Sequence, residues 1–128
     1  MGQKRRKIMK TYVEYQGKKF DTISDAIEYA EDIEAETAKI DVYDSNDNYL
    51  EGQISERNPH SNDLVYTTWG VFLDDNCDHW IGEINSHDEA YEMAVNLKKQ
   101  NPESDIFIQA YTQTLSENID NIDDREYI

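Results

Sequence analysis

Asp44-Ser45-Asn46-Asp47-Asn48 sets side-chain oxygens at alternate positions, as the opening of a calcium-binding loop does. Such a loop also needs Gly at its sixth position and Glu at its twelfth. Counted from Asp44 these are Tyr49 and Ser55, so the run reads as a polar turn. Cys77 and His79 share a short segment, with His60 and His87 elsewhere. Closed zinc sites use ligand pairs at short spacing on both sides, and only one side is present here. His87 follows a helix-start signal and reads as a surface histidine. Cys77 would need to be a thiolate to act as a nucleophile. Asp74, Asp75, Asp78 and Glu83 surround it and disfavour a second negative charge. The chain carries no phosphate-binding glycine loop, no nucleophile elbow and no metalloprotease helix. The expectation is a protein without catalytic residues, metal or cofactor.

Charge is more informative. The 128 residues include 12 basic and 28 acidic ones, a net of −16. Lys4, Arg5, Arg6, Lys7 and Lys10 fall in the first ten positions. Setting those five aside leaves seven basic residues against 28 acidic ones, a net of −21 from Thr11 onward. A body so charged repels DNA, RNA and anionic membranes and attracts basic protein surfaces. The single cysteine excludes an internal disulfide and fits a reducing cytoplasm. No apolar run approaches a membrane helix, and no apolar segment follows the basic leader as in a signal peptide. Met9 offers a second start, and residues 1–10 are expected to be a disordered basic leader.

The elements that must position these residues come from an internal repeat. Residues 20–33, FDTISDAIEYAEDI, align without a gap on residues 84–97, INSHDEAYEMAVNL. Ala26, Glu28 and Ala30 recur as Ala90, Glu92 and Ala94. Thr22-x-x-Asp25 and Ser86-x-x-Glu89 are capping-box signals. Apolar stripes follow at helical spacing: Ala26, Ile27, Ala30 and Ile33, then Ala90, Tyr91, Ala94 and Leu97. A hairpin precedes each helix. The first turns at Gln16-Gly17; the second joins 69–73 to 80–84 through a longer acidic loop at 74–78. Strands at 39–43 and 105–112 follow the helices, and 49–54 is a further strand.

The predicted fold is α+β. Two ββαβ-like repeats form antiparallel sheet or sheets with both helices packed on one face. The repeats occupy 11–54 and 66–115, with a linker at 55–65 and an acidic, loosely held tail at 116–128. Trp69 and Trp80 are expected in the core of a chain with 14 aromatic residues. Tyr12, Tyr15, Tyr43, Tyr49 and Tyr66 cluster on strands, where rings among carboxylates would anchor a basic partner.

In size, charge and absence of catalytic motifs the chain resembles the small acidic proteins with which phages and plasmids block restriction or CRISPR nucleases. The resemblance is one of character and rests on no residue motif. It implies a protein of the bacterial cytoplasm that mimics nucleic acid and occupies the basic channel of a Cas effector or restriction enzyme. The residues expected to touch that partner are Glu28, Glu31, Asp32 and Glu92 on the helices and Asp74, Asp75 and Asp78 in the second hairpin loop. Two other readings fit the same composition. One is a regulatory, adaptor or immunity-type module with a basic partner. The other is a self-associating protein, such as a homodimer paired through strand edges.

Overall fold

A computed structural model describes residues 10–73, 76–121 and 125–128, with backbone alone at 76–80, 118, 120 and 121. The leader before Lys10, Asp74 and Asp75, and the side chains of Cys77, Asp78, His79 and Trp80, lie outside what it describes.

The fold is α+β. Its elements in chain order are β1 (Thr11–Tyr15), β2 (Lys18–Phe20), α1 (Ile23–Asp32), β3 (Thr37–Asp44), β4 (Tyr49–Arg57), β5 (Leu64–Leu73), β6 (Asn76–Ile84), α2 (His87–Gln100), β7 (Ile106–Gln113), β8 (Asn118–Asn121) and β9 (Glu126–Tyr127). Among the described residues the nine strands form one antiparallel sheet. Strand β1 lies between β2 and β3, and β5 lies between β6 and β7. Among the described residues no helix is long and apolar enough to cross a membrane.

Local sequence explains the first hairpin and both helix starts. Gln16 and Gly17 have φ of 53° and 78°. Two positive φ angles in a two-residue loop make the turn whose twist matches the flanking strands. Thr22 and Ser86 are extended at the helix N-caps and accept from the amides of Asp25 and Glu89 at 3.1 and 3.2 Å. Each such cap contributes about 1 kcal/mol. The Glu89 carboxylate does not complete a capping box; it accepts from the Thr11 hydroxyl at 2.5 Å. Ala26, Ile27 and Ala30 are buried, as are Ala90 and Ala94. Ile33 and Tyr91 depart from the expected stripes and are 43% and 45% exposed. Ile33 is the C-cap of α1, where the helical periodicity ends.

The expectation that both helices share one face is corrected by strand β5. Leu64 and Tyr66 pack in the α1 core with Val13, Ile27 and Ile40. Trp69, Val71 and Leu73 pack with Ala90, Ala94 and Ile108 under α2. The ladder of β5 with β7 runs unbroken from Tyr66 to Leu73, so side chains alternate strictly. The two helices therefore cover opposite faces of β5.

Three boundaries also shift. Strand β4 runs on to Arg57 and β5 begins at Leu64, so the connection is shorter than the expected linker at 55–65. Strand β6 begins at Asn76 and pairs back to Leu73, so residues 76–78 of the expected loop are strand, while 74 and 75 lie outside the described residues. The tail supplies β8 and β9, both paired with β7, rather than hanging loose.

A buried side chain, Asn85, helps to join the halves. Asn85 is 5% exposed. Its Oδ1 accepts from the Ile23 amide at 2.9 Å, and its Nδ2 donates to the Asp21 carbonyl at 2.8 Å and to Thr11 Oγ1 at 3.0 Å. The Ile23 amide opens α1 and has no partner within its own helix. Where β4 leaves β5, the Gln53 amide fills the gap, donating to the Thr67 carbonyl at 2.9 Å and accepting from its amide at 2.8 Å.

Candidate binding surfaces

The first surface is the outer line of α1. Asp25, Glu28 and Asp32 are exposed and spaced by three and four residues. That spacing stacks them along one side of the helix, with neighbours roughly 5–6 Å apart. Glu34 and Glu36 continue the exposed acidic strip past the helix end. The strip borders a cleft lined by Glu31, Glu34, Glu36, Arg57 and Asp63.

Glu31 does not belong to the free strip. Arg57 donates from Nη1 to Glu31 Oε1 at 2.8 Å, and the Leu64 amide donates to Oε2 at 2.9 Å. Arg57 also reaches the carbonyls of Asn62 and Ala35 at 2.7 and 2.6 Å. The pair clamps the end of α1 to the β4–β5 connection. Helical spacing in the sequence gives no sign that a residue 26 positions away claims this carboxylate.

Of the other expected contact residues, Glu28 and Asp32 fall together on α1. Glu92 is half-buried on α2, across β5 from them, and lies in the field of Glu89. Asp74 and Asp75 and the Asp78 side chain lie outside the described residues. The sequence reading leaves out Asp25, Glu34 and Glu36; Asp25 serves there as a cap residue, although its i+3 and i+7 neighbours are both acidic.

The second surface is the face of β1, β3 and β4 turned away from α1. Val13, Ile40 and Val42 point to α1, so Tyr12, Glu14, Asp41 and Tyr43 point the other way. Tyr12 and Tyr43 sit directly opposite each other, and their rings stack at 5.4 Å with 14° between planes. Tyr43 meets Tyr49 edge to face at 5.8 Å. The three rings form a row across the strands. Tyr15 and Tyr66, grouped with them in the sequence, are instead buried against α1. The signal that separates the two sets is parity along each strand.

Carboxylates surround the row. Tyr12 donates to Asp47 Oδ1 at 2.6 Å, which with the neighbouring charges pushes its phenol up to about 12. Partial burial, then Glu14 and Asp41, raise the Tyr43 phenol as well. Asp44 closes the following turn, accepting from the amides of Asn46 and Asn48 at 2.8 and 2.9 Å, and these bonds lower its carboxyl. The Asp44 oxygens that open the calcium-like pattern are thus engaged in the turn itself.

A third cluster lies at the start of α2. His87 Nε2 is 2.7 Å from Glu126 Oε1, and its Nδ1 is 3.5 Å from Asp88. The ring is edge-on to Trp69 at 5.0 Å and stacks on Tyr91 at 6.1 Å. Burial works against the imidazolium, but the Glu126 and Asp88 carboxylates outweigh it and raise its pKa. Burial also raises the carboxyls of Glu51 and Glu89 nearby. Among the described residues no group of three or more His, Cys, Asp or Glu is arranged to hold a metal.

No family model matches the chain, and neither a curated protein nor a solved structure shows significant similarity to it.

Proposed function

We propose that this protein is a non-catalytic acidic binding protein that mimics nucleic acid and blocks the basic channel of a host defence nuclease, a Cas effector or restriction enzyme, in the bacterial cytoplasm. The observation that carries the reading is the exposed carboxylate strip of Asp25, Glu28 and Asp32, continued by Glu34 and Glu36. The helix sets the Cβ atoms of neighbouring members roughly 5–6 Å apart, so the carboxylates form a dense line of negative charge, as a nucleic-acid backbone does. The net charge of −16 provides the long-range attraction that steers such a protein onto a basic partner. We also propose that the two halves are copies of one ββαβ unit. Support comes from the ungapped match of the helix segments and from β1 and β5 each lying between two partner strands in the same order.

The test adds purified protein to a panel of Cas effectors and restriction enzymes and follows DNA cleavage. Stoichiometric loss of cleavage is expected for a member of the panel, relieved by excess duplex or guide RNA. Binding should weaken by about tenfold or more between low and high salt, as surface charges are screened. Inhibition that persists unchanged under DNA, RNA and salt competition would reject mimicry. It would favour an adaptor or immunity-type module binding elsewhere on its partner.

A further inference from the structure

We infer that the open face of β1, β3 and β4 is a recognition surface for arginine side chains of a protein partner. The inference deepens the proposed binding role by naming the partner chemistry of a second surface. Tyr12, Tyr43 and Tyr49 offer aromatic rings in a row, and Tyr49 is 59% exposed. Glu14, Asp41 and Asp47 stand on or beside the same face. Rings alone would accept nucleobases or apolar side chains. Rings among carboxylates repel phosphate and select cations.

The chain itself demonstrates the contact. Lys19 places its ammonium 4.8 Å from the centroid of the Tyr12 ring while lying 4.0 Å from Asp47. A cation held between a tyrosine face and a carboxylate is thus already built at one end of the row.

At the other end the geometry favours a guanidinium. Gly52 lies opposite Asp41 in the ladder. A Cβ placed there would sit 2.7 Å from Asp41 Oδ1 and 2.9 Å from the Tyr49 hydroxyl. The carboxylate and the phenol therefore already fill the space over Gly52 and lie close together on the open face, where one ligand group can reach both from the solvent side. A planar guanidinium can lie on the Tyr49 ring and direct its N–H fork to Asp41 at the same time. A lysine ammonium can touch a ring and a carboxylate together, as Lys19 does, but it has neither a flat face to stack on the ring nor a fork to pair with both carboxylate oxygens. Two copies of this chain would bring acidic faces together, so self-pairing here is opposed by charge.

The experiment titrates the full chain with two synthetic peptides of equal length and charge, one bearing four arginines and the other four lysines, at 0.15 M salt. The arginine peptide is expected to bind roughly fivefold or more tightly than the lysine peptide. Tyr49→Ala should erase the preference, and Asp41→Asn should weaken the arginine peptide most. Thermal melts of both variants establish that they remain folded, and Tyr49 is exposed enough to be removed safely. Equal affinities, or a preference that survives both substitutions, would overturn the assignment. So would sedimentation showing that the free chain dimerises through this face and that Tyr49→Ala dissolves the dimer. The readout is an isolated peptide, so its outcome is independent of whether any nuclease is inhibited.

Discussion

Asn85 caps the helix of the opposite half of the chain, accepting the Ile23 amide at 2.9 Å from a position 62 residues away. Its amide nitrogen holds the Asp21 carbonyl and the Thr11 hydroxyl in the same grip. Replacing Asn85 by Ala removes an acceptor from a helix start and leaves buried polar groups without partners. We expect a loss of about 2–3 kcal/mol, read as a lower urea midpoint with an unchanged slope. A loss within error would show that water takes over the cap.

The Arg57–Glu31 clamp makes a different prediction. Both side chains are about one-fifth exposed, so solvent screens part of the attraction. Arg57→Ala is expected to cost about 1–2 kcal/mol, because Glu31 loses its partner and two carbonyls lose a donor. Glu31→Lys should cost at least as much. A double-substitution cycle measured by chemical unfolding isolates the pair.

Charge reversal on the free strip should behave in the opposite way. Glu28→Lys with Asp32→Lys touches two exposed residues and should change stability by no more than about 0.5 kcal/mol. Binding to the basic partner should be lost. Retained binding would remove the α1 strip from the interface.

The His87 cluster sets a pH dependence whose sign follows from the raised imidazole pKa. A group with a raised folded-state pKa contributes stability that is complete below its ordinary value, about 6.5 for histidine. That contribution is lost as pH rises through the folded value. Stability should therefore fall on the alkaline side of about 6.5, by less than about 1 kcal/mol for so exposed a pair. His87→Gln or Glu126→Gln should flatten the decline in melting temperature across that window. Glu51 and Glu89, also raised, act with the same sign at lower pH, and Glu89→Gln should relieve part of the burial cost near neutrality.

Local features were legible in the sequence. Thr22 and Ser86 announce the helix starts, and Gln16-Gly17 announces a tight turn. Ala26, Ile27 and Ala30 mark the buried side of α1. Each of these depends on residues within a few positions of one another. What was not legible depends on distant partners. Glu31 looks like any exposed helical acid until Arg57 is brought to it from β4. Asn85 looks like a loop residue until Ile23 is placed against it. The opposite placement of the helices follows from parity along β5, whose ten residues contribute to two cores. Short-range periodicity assigns a face to each segment but does not relate the faces of separate segments. The tyrosines were recognised as a group, yet only pairing of β1 with β3 separates Tyr12 and Tyr43 from the buried Tyr15.

The sheet that carries Tyr12 and Tyr43 on one side carries Val13, Ile40 and α1 on the other. The acidic line of Asp25, Glu28 and Asp32 and the row of tyrosines thus look in opposite directions through the thickness of the molecule. A flat partner can reach one or the other, never both. Full engagement demands a cleft that swallows the protein edge-on, or two partners held back to back. Were both proposed surfaces engaged, the protein would act as a two-sided wedge, and losing one side would reduce avidity while leaving the other intact.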